Sequence, residues 1–505
     1  MNNLFIGKYE PTMRSISKLL FTNPFTPLRI ELEKEILGSR YKDIYVSWHN
    51  IIGKAELNAN IREIDETADH IVRQLLEHRE ELSSSFTDDH QQLWDHLALY
   101  WLFCQVKRQM MNAVPLELEA ETSLVPLYDT FRRDYEEVFL LPGRKTPPIL
   151  SCEDCFAVFY QLVRAVYNIY IPIAGGTRRA AEFRSAVWNS IFTSNGELYY
   201  QILIKRMNNF STVILGESGT GKELAAQAIA YSHFIPFDAK KKCFTDQYFS
   251  LFHPINIAAF PSSLIDSQLF GYMKGAFTGA NNDRKGFFED CSDCGTVFLD
   301  EFGEITRETQ TKLLRVLQTR QFTRIGSNTP RTFTGRVIGA TNADMALACQ
   351  EGRFRKDLFY RMCSDIIITP PLREILEGSE KELYDFISLL LKPSIDSEHL
   401  EKVAAISTDW IKKNLGLDYP WPGNARELGQ CIRNILVGGK YIPILEEKQN
   451  RFDLDDFFYK TPMRAEEVQQ RYVRAVHQRE GSILGTAKAT GLNRRTIKKI
   501  LGEKE

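Results

Sequence analysis

A glycine-rich stretch at residues 216–223 has the composition and spacing of a phosphate-binding loop. Its glycines let the backbone fold back so that N–H groups converge on phosphate oxygens, and its lysine reaches the β- and γ-phosphates. The pattern also arises by chance, but here an apolar run (212–215) precedes it and an Ala/Leu-rich helix pattern (223–232) follows it, as a functional loop requires. The predicted nucleotide contacts are Gly216, Glu217, Ser218, Gly219, Thr220, Gly221, Lys222 and Glu223.

Two adjacent carboxylates, Asp300 and Glu301, end a second apolar run at residues 296–299. In a nucleotide site the first carboxylate holds Mg²⁺, and the second orients and deprotonates the attacking water. Either one could instead cap the following helix, but the upstream phosphate loop favours the catalytic interpretation. Glu223 stands where most phosphate loops carry a Ser or Thr ligand for magnesium, and Asp300 is the metal ligand that we predict.

A polar amide and a basic segment follow in the chain. Asn342 ends a third apolar run (336–341), where its amide can hydrogen-bond the attacking water or the γ-phosphate. Residues 352–361 are rich in arginine and lysine, and two interpretations stay open. Most such runs are solvated basic helices. Alternatively, one or two of the arginines complete a neighbouring subunit's site and neutralise charge on the transferring phosphoryl group.

The overall composition is that of an ordinary soluble globular protein, with 43% hydrophobic and 25% charged residues. A length of 505 residues suggests about three domains. We find no signal-peptide pattern and no uninterrupted apolar span, and expect a cytoplasmic protein without a membrane partner.

The odd number of cysteines indicates reduced thiols. Two pairs, Cys152/Cys155 and Cys291/Cys294, have metal-like spacing, but a joint site would bridge two domains, so we favour free thiols.

The elements that must position these residues divide the chain into several parts. Residues 1–185 have apolar residues at helical spacing and predict a mainly helical regulatory domain whose ligand stays unassigned. Residues 186–375 hold the three strand-like runs of the nucleotide site. Residues 376–445 predict a helical lid, 446–463 a linker, and 464–505 a small carboxy-terminal domain.

Two segments within the nucleotide-binding part have special compositions. Residues 234–252 contain three consecutive lysines and predict a surface insertion. Residues 275–280 are rich in Gly and Ala and carry one Phe and one Thr. That composition suits either a simple turn or a mobile tip that touches another protein.

The last domain is basic, with ten Lys or Arg against five Glu in residues 464–505, which points to nucleic acid. Two helix patterns, a tight turn at 491–493 and a third helix predict a helix-turn-helix with residues 493–499 as the recognition helix. Basic surface helices are often only solvated, but the turn spacing favours DNA binding. The predicted DNA contacts are Asn493, Arg494, Arg495, Thr496, Lys498 and Lys499.

In order along the chain, six motifs resemble those of the sigma-54-dependent transcriptional activators, which are bacterial enhancer-binding AAA+ ATPases. They are GESGTGKE (216–223), GAFTGA (275–280), GTVFLDE (295–301), RVIGATN (336–342), GRFRKDLFYR (352–361) and YPWPGNARELGQ (419–430). The resemblance implies an α/β AAA+ core with a parallel sheet and a helical lid, preceded by the mainly helical domain and followed by a Fis-type helix-turn-helix. It also implies ATP and Mg²⁺ as cofactors.

Residue roles also follow from the resemblance. The family has a Glu after the loop lysine, so Glu223 fits its pattern. Asn256 would restrain the catalytic Glu301 until nucleotide and target are sensed. Arg355 and Arg361 would be fingers that act on a neighbouring subunit, and Arg426 would sense nucleotide from the lid.

The partners that the resemblance implies are sigma-54 RNA polymerase holoenzyme, double-stranded DNA upstream of promoters, and further copies of the chain in a homo-oligomer, a hexameric ring. Gly275, Phe277 and Thr278 would contact sigma-54. Gln268 and Tyr272 depart from the family's usual Glu and His, and the 234–252 segment is long. These departures bear on signalling and leave the class unchanged.

The predicted function is therefore an ATP-hydrolysing activator that binds upstream DNA and remodels sigma-54 RNA polymerase from closed to open promoter complex. The alternative is an AAA+ remodeller of a different protein target, with the tail used to tether it to DNA. A DNA-binding regulator without enzymatic activity is disfavoured by the intact Lys222, Asp300 and Glu301.

Overall fold

The computed structural model describes residues 3–43, 59–79, 87–116, 120–142, 144–443 and 465–501. By its internal contacts the chain divides into two compact units, Met1–Tyr441 and Ile442–Glu505. The predicted linker, 446–463, lies outside the described residues. No described helix is long and apolar enough to cross a membrane.

The amino-terminal region is helical, as predicted. Its helices are α1 (Asn3–Phe21), α2 (Pro27–Leu37), α3 (Ala59–Glu77), α4 (Asp88–Ala113), α5 (Ala120–Phe139), α6 (Cys152–Tyr170) and α7 (Arg178–Phe192). Ser151 and Thr177 cap α6 and α7 by accepting hydrogen bonds from backbone N–H groups three residues later. Helix α7 runs through residue 185, so the domain boundary that we predicted there falls inside a continuous helix.

A five-stranded parallel sheet forms the centre of the larger unit, in the order β4-β5-β8-β1-β9. Its strands are β1 (Thr212–Leu215), β4 (Phe252–Asn256), β5 (Thr296–Asp300), β8 (Arg336–Thr341) and β9 (Asp365–Ile368). The central strands are apolar runs because helices cover both faces of a parallel sheet. This topology, with a phosphate loop after the central β1, confirms the predicted α/β AAA+ fold.

Two short hairpins and further helices complete this part of the chain. The hairpins pair β2 (Phe237–Asp238) with β3 (Cys243–Phe244), and β6 (Gln321–Phe322) with β7 (Arg331–Thr332). The helices are α8 (Lys222–Tyr231), α9 (Ser262–Phe270), α10 (Arg307–Thr319), α11 (Met345–Gln350) and α12 (Lys356–Met362), with one-turn helices at Gly196–Leu198 and Phe287–Asp290.

The amino-terminal helices and one face of the sheet share a single apolar core. Ala226 and Ile229 of α8, together with Ile214 and Ile338 of the sheet, belong to the same cluster of buried side chains as the centres of α4 and α6. The other face of the sheet packs against α9, α10 and α12 in a separate cluster. The amino-terminal region is therefore packed into the nucleotide-binding part.

Residues 234–252 were predicted as a surface insertion, but several of their apolar side chains are buried in this shared core. Phe237 packs against Phe156 of α6 with 5.0 Å between ring centroids, and Phe244 stacks on Tyr160 at 4.8 Å. The buried Tyr248 donates a hydrogen bond of 2.7 Å to the carbonyl of Val114. The aromatic residues of the segment face the amino-terminal helices, and its lysines are at the surface.

The lid follows as four helices with a core of their own. They are α13 (Leu372–Leu376), α14 (Glu380–Leu391), α15 (Ser397–Asn414) and α16 (Asn424–Gly438). Trp421, 1% exposed, is buried at the turn before α16 and has a left-handed backbone with φ 48°. The next left-handed residue, Asn424, begins α16.

The smaller unit contains α17 (Ala465–Glu480), α18 (Ile483–Thr490) and α19 (Arg494–Leu501), at the positions predicted for the helix-turn-helix. Gly481 and Gly491 break the chain between helices with φ of 64° and 72°, which glycine adopts without strain. Ile497 of α19 and Thr486 of α18 are fully buried, and Thr486 contacts His477 at 3.0 Å.

Candidate nucleotide site

The phosphate loop is built so closely against its neighbours that only glycine fits at two positions. A Cβ on Gly216 would lie 2.0 Å from Oγ1 of Thr369, and one on Gly219 would lie 2.7 Å from the carbonyl of Gly423. Both glycines have positive φ, as does Gly221, the residue directly before α8. The loop therefore presents backbone instead of side chains, which is the surface that a phosphate group needs.

Lys222 turns its ammonium group back over the loop. Nζ donates hydrogen bonds to the carbonyls of Gly216, at 2.9 Å, and Glu217, at 3.0 Å. Burial lowers the pKa of Lys222, and the nearby charges of Glu301 and Asp300 oppose that shift. Lys222 is buried, and its ammonium can exchange the loop carbonyls for phosphate oxygens as hydrogen-bond acceptors, so these residues fit a nucleoside triphosphate.

Asp300 is the last residue of β5, and Glu301 directly follows it. Strand β5 lies beside β8, and β8 lies beside β1, the strand that precedes the phosphate loop. Glu301 has a left-handed backbone, φ 53° and ψ 44°, which is uncommon for a residue with a side chain. Backbone strain of this kind occurs preferentially at functional sites. Asn342 directly follows β8 and is exposed at the same edge. Ligands of open α/β sheets bind at this carboxyl edge.

The resemblance implied that Asn256 restrains Glu301, but in the structure Asn256 contacts Asp300 instead. Its Nδ2 donates to Oδ2 of Asp300 at 3.1 Å, and its Oδ1 accepts from the N–H of Ala259 at 3.2 Å. The cause is strand register: in the parallel pair β4/β5, Asn256 is the partner of Asp300. Glu301 is one residue farther along and has already left the strand.

The lid closes on the loop through polar contacts. Nη1 of Arg426 donates to Oγ of Ser218 at 2.8 Å. Asn424 donates from Nδ2 both to the carbonyl of Ser218 and to the carboxylate of Glu217, each at 3.0 Å. These contacts place the predicted sensor Arg426 against the phosphate loop.

Sequence reasoning missed two residues of this junction. Arg373 donates to both carboxylate oxygens of Glu217, at 2.6 and 3.0 Å, and its guanidinium lowers the pKa of that carboxyl. Thr369 contacts Thr220 with 2.6 Å between the hydroxyl oxygens. Nothing local marks either residue, because each gains its role only through a partner about 150 positions away.

A small apolar cleft opens beside the loop. Its walls come from three parts of the chain: the α6–α7 connection, the phosphate loop with α8, and the lid. The lining residues include Pro172, Ile173, Phe183, Leu224, Leu372 and Phe386. The walls are apolar and adjoin the phosphate loop, and sequence reasoning did not connect residues 172–174 to this site.

The two predicted finger arginines contact their own subunit here. Arg355 pairs with Asp357 at 2.7 Å and donates to Oγ1 of Thr311 at 3.2 Å. Arg361 is exposed and donates to the carbonyl of Leu317 at 3.0 Å. Both therefore lie beside α10, on the surface of this subunit.

Residues 275–280 form a tight exposed turn. The N–H of Gly275 donates to the carbonyl of Ala280 at 2.8 Å, and Gly275 and Gly279 have φ of 81° and 102° with open space where a Cβ would be. Phe277, 39% exposed, packs edge-on against Tyr272 with centroids 5.0 Å apart. Thr278 is exposed.

Two of the predicted DNA contacts have partners within their own helix. Oδ1 of Asn493 accepts from both the N–H and the hydroxyl of Thr496, at 2.8 and 2.9 Å, and so caps α19. Arg494, Arg495 and Lys499 are exposed on the same helix. Asn493 is also exposed, whereas Thr496 is half-buried.

The described residues contain no group of three or more His, Cys, Asp or Glu that could hold a metal ion. Cys152, Cys155, Cys291 and Cys294 are free thiols. Burial raises the pKa of Cys152 and of Cys291 to about 12.

Comparison with known proteins agrees with this geometry. Residues 194–367 match the protein-family model described as the Sigma-54 interaction domain. The nitrogen fixation protein VnfA of Azotobacter vinelandii is 40% identical over 296 residues, which are 57% of this chain and 52% of VnfA. The regulatory protein AtoC of Escherichia coli strain K12 is 41% identical over 231 residues, 46% of each chain.

The DNA-binding transcriptional regulator NtrC of Azospirillum brasilense is 39% identical over 237 residues, 47% of this chain and 45% of NtrC. The chain thus spans about half the length of these curated relatives. The matched part holds the phosphate loop, both carboxylates and the 275–280 turn. Residues 194–367 are therefore similar to a sigma-54 interaction domain, and they contain most of the parallel sheet of the AAA+ fold.

Proposed function

We propose that the chain is an ATP-hydrolysing transcription activator that binds DNA upstream of a promoter and remodels sigma-54 RNA polymerase from closed to open complex. One observation carries the proposal: within a sigma-54 interaction domain, the phosphate loop, Asp300, Glu301 and Asn342 meet at one sheet edge. Together these residues are the minimum set of groups needed to hydrolyse a nucleoside triphosphate.

Each of these residues would have its own role in ATP hydrolysis. The loop amides and Lys222 hold the phosphates, and Asp300 would hold Mg²⁺, which supplies charge neutralisation at the transferring group. Glu301 accepts a proton from the attacking water, and Asn342 orients that water. The apolar cleft beside Leu224 takes the base.

The lid and the surface arginines would report nucleotide state and complete the site. Arg426, held on Ser218, is placed to follow changes at the phosphates. Arg355 and Arg361 would act on the adjacent subunit of a homo-oligomeric ring, which we propose to be hexameric. A residue that acts in trans requires a heterologous interface, and such interfaces close into rings.

Two surfaces of the chain would contact the proposed partners, sigma-54 and double-stranded DNA. Phe277 and Thr278, at the exposed tip, fit a contact with sigma-54. The basic side chains of α19 fit double-stranded DNA in the manner of a Fis-type recognition helix. Both partners are in the bacterial cytoplasm, where we therefore place the protein.

The test is capture of sigma-54 by the full chain in the presence of ADP and a metal-fluoride transition-state mimic, followed by open-complex formation on a supercoiled promoter template. A nucleotide-dependent sigma-54 complex and promoter opening support the proposal. ATP hydrolysis without any nucleotide-dependent sigma-54 complex would instead support a remodeller of another protein target.

A further inference from the structure

The far end of the phosphate-loop helix α8 is capped by side chains from the amino-terminal region. Arg164 of α6 donates from Nη1 to the carbonyl of Tyr231 at 2.7 Å and from Nη2 to that of His233 at 2.8 Å. Gln161, one helical turn earlier, donates from Nε2 to the carbonyl of Ser232 at 2.9 Å. Three consecutive backbone carbonyls, that of the last residue of α8 and those of the two residues after it, therefore accept hydrogen bonds from two side chains of α6.

These hydrogen bonds supply donors to backbone carbonyls that have no donor within the helix. The last carbonyls of a helix lack intrahelical donors and carry its partial negative charge, so a buried guanidinium there is favourable. Arg164 is fully buried, and its guanidinium lies over the rings of Tyr160 and Tyr248 at 5.2 and 5.6 Å. Burial lowers the pKa of Arg164 to about 10, which leaves it charged at neutral pH.

The same glutamine also holds the segment that leads into the phosphate loop. The hydroxyl of Tyr199 donates to Oε1 of Gln161 at 2.9 Å. The buried Tyr199 begins a π-helical turn, Tyr199–Leu203, that precedes β1 in the chain. Turns of this type are frequent at functional sites. Gln161 thus bridges the chain that enters β1 and the helix that leaves the loop.

The phosphate loop and the capped carbonyls lie at opposite ends of one short helix. Helix α8 has ten residues and is therefore about 15 Å long. Its first residue is Lys222, whose ammonium lies over the phosphate loop. The position of the carbonyls at Tyr231–His233 therefore sets the position of Lys222 and of the loop N–H groups.

We propose that Gln161 and Arg164 are positioning residues for the phosphate loop, so that nucleotide binding depends on the docking of α6 from the amino-terminal region. This inference rests on the nucleotide-binding part of the proposed function and is independent of sigma-54 and DNA. Any signal that moves α6 would act on the nucleotide site through these two side chains.

The experiment measures binding of a fluorescent ADP analogue to the full chain, its Arg164→Met and Gln161→Met variants, and a control, Arg144→Met. Arg144 forms a buried ion pair with Asp95 at 2.7 Å inside the amino-terminal region. Its loss destabilises the same helices without touching α8. All variants are compared below their unfolding temperatures, established by circular dichroism.

We expect Arg164→Met to weaken ADP binding about tenfold, the size of one lost hydrogen bond to a charged group. Amide hydrogen exchange across residues 222–233 should accelerate in the same variant, and Arg164→Lys should recover part of both effects. Arg144→Met should lower the unfolding temperature and leave affinity and exchange in 222–233 as in the parent.

Parent-like affinity and exchange in folded Arg164→Met would overturn the inference. Equal weakening in Arg144→Met would also overturn it, because the effect would then be general destabilisation. Should Arg164→Met not fold, Tyr199→Phe, which removes only one hydroxyl, must still change exchange in 222–233. A parent that binds ADP but never engages sigma-54 refutes the proposed function and leaves this inference standing; a parent that binds no nucleotide overturns both.

Discussion

Asn256 and Asp300 are register partners at the ends of two adjacent parallel strands, and the amide nitrogen of Asn256 lies 3.1 Å from Oδ2 of Asp300. The hydrogen bond fixes the orientation of the carboxylate that we assign to Mg²⁺. Loss of a hydrogen-bond partner of a metal ligand typically costs about 10–100-fold in metal affinity or activity.

Asn256→Ala should therefore raise the Mg²⁺ concentration needed for half-maximal ATP hydrolysis by about tenfold, within the range for lost support of a metal ligand. The matched control is Asn342→Ala, an amide at the same edge that should lower turnover without a change in magnesium requirement. A magnesium titration of steady-state hydrolysis measures both. An unchanged requirement in Asn256→Ala would refute the support of Asp300.

Glu301→Gln should bind ATP like the parent and hydrolyse it at least about 10²-fold more slowly, because an amide cannot accept the proton from water. Lys222 and the loop amides, which hold the phosphates, are unchanged. Equilibrium binding and single-turnover hydrolysis test the two halves separately. Turnover close to that of the parent would remove Glu301 from its role as the base.

Arg355→Ala and Arg361→Ala should each be inactive alone and regain some hydrolysis when mixed with Glu301→Gln. In mixed oligomers some interfaces pair an intact site with an intact arginine. Subunit exchange must be shown independently, for example by energy transfer between labelled subunits. Mixed activities that remain a simple sum of the separate ones would reject action in trans.

Arg494→Ala should weaken binding to a mapped upstream site by roughly 1–3 kcal/mol, the cost of one base contact, and leave ATP hydrolysis intact. Arg494 is exposed on α19, whereas Arg474 is exposed on α17, outside the recognition helix. Arg474→Ala is therefore the charge-matched control in binding titrations at fixed salt. Equal loss in both variants would indicate a purely electrostatic contact.

Thr278→Ala should hydrolyse ATP normally but fail to trap sigma-54 and fail to open promoters. Its side chain is exposed on the 275–280 turn, and the turn's hydrogen bonds are made by the backbone, so the fold tolerates the change. Ser262→Ala, at the exposed first residue of α9, provides a control for loss of a surface hydroxyl. A variant that traps sigma-54 as well as the parent would show that the tip contacts something else.

Local patterns in the sequence determined the nucleotide-binding strands, the phosphate loop, the acidic pair after β5 and the three carboxy-terminal helices. Each depends on neighbouring residues: glycines with positive φ, apolar runs of strand length, and helix periods interrupted at Gly481 and Gly491. Backbone conformation responds to such short-range composition, so these elements were predicted close to where they lie.

Tertiary structure alone decided which side chains meet. Asn256 contacts Asp300 because of strand register, Arg373 contacts Glu217 because the lid folds over the loop, and Gln161 contacts Ser232 because α6 packs on α8. The aromatic residues of 234–252 are buried for the same reason, since their partners lie in the amino-terminal helices. Contacts between residues far apart in sequence depend on packing of the whole core, and no local pattern encodes that packing.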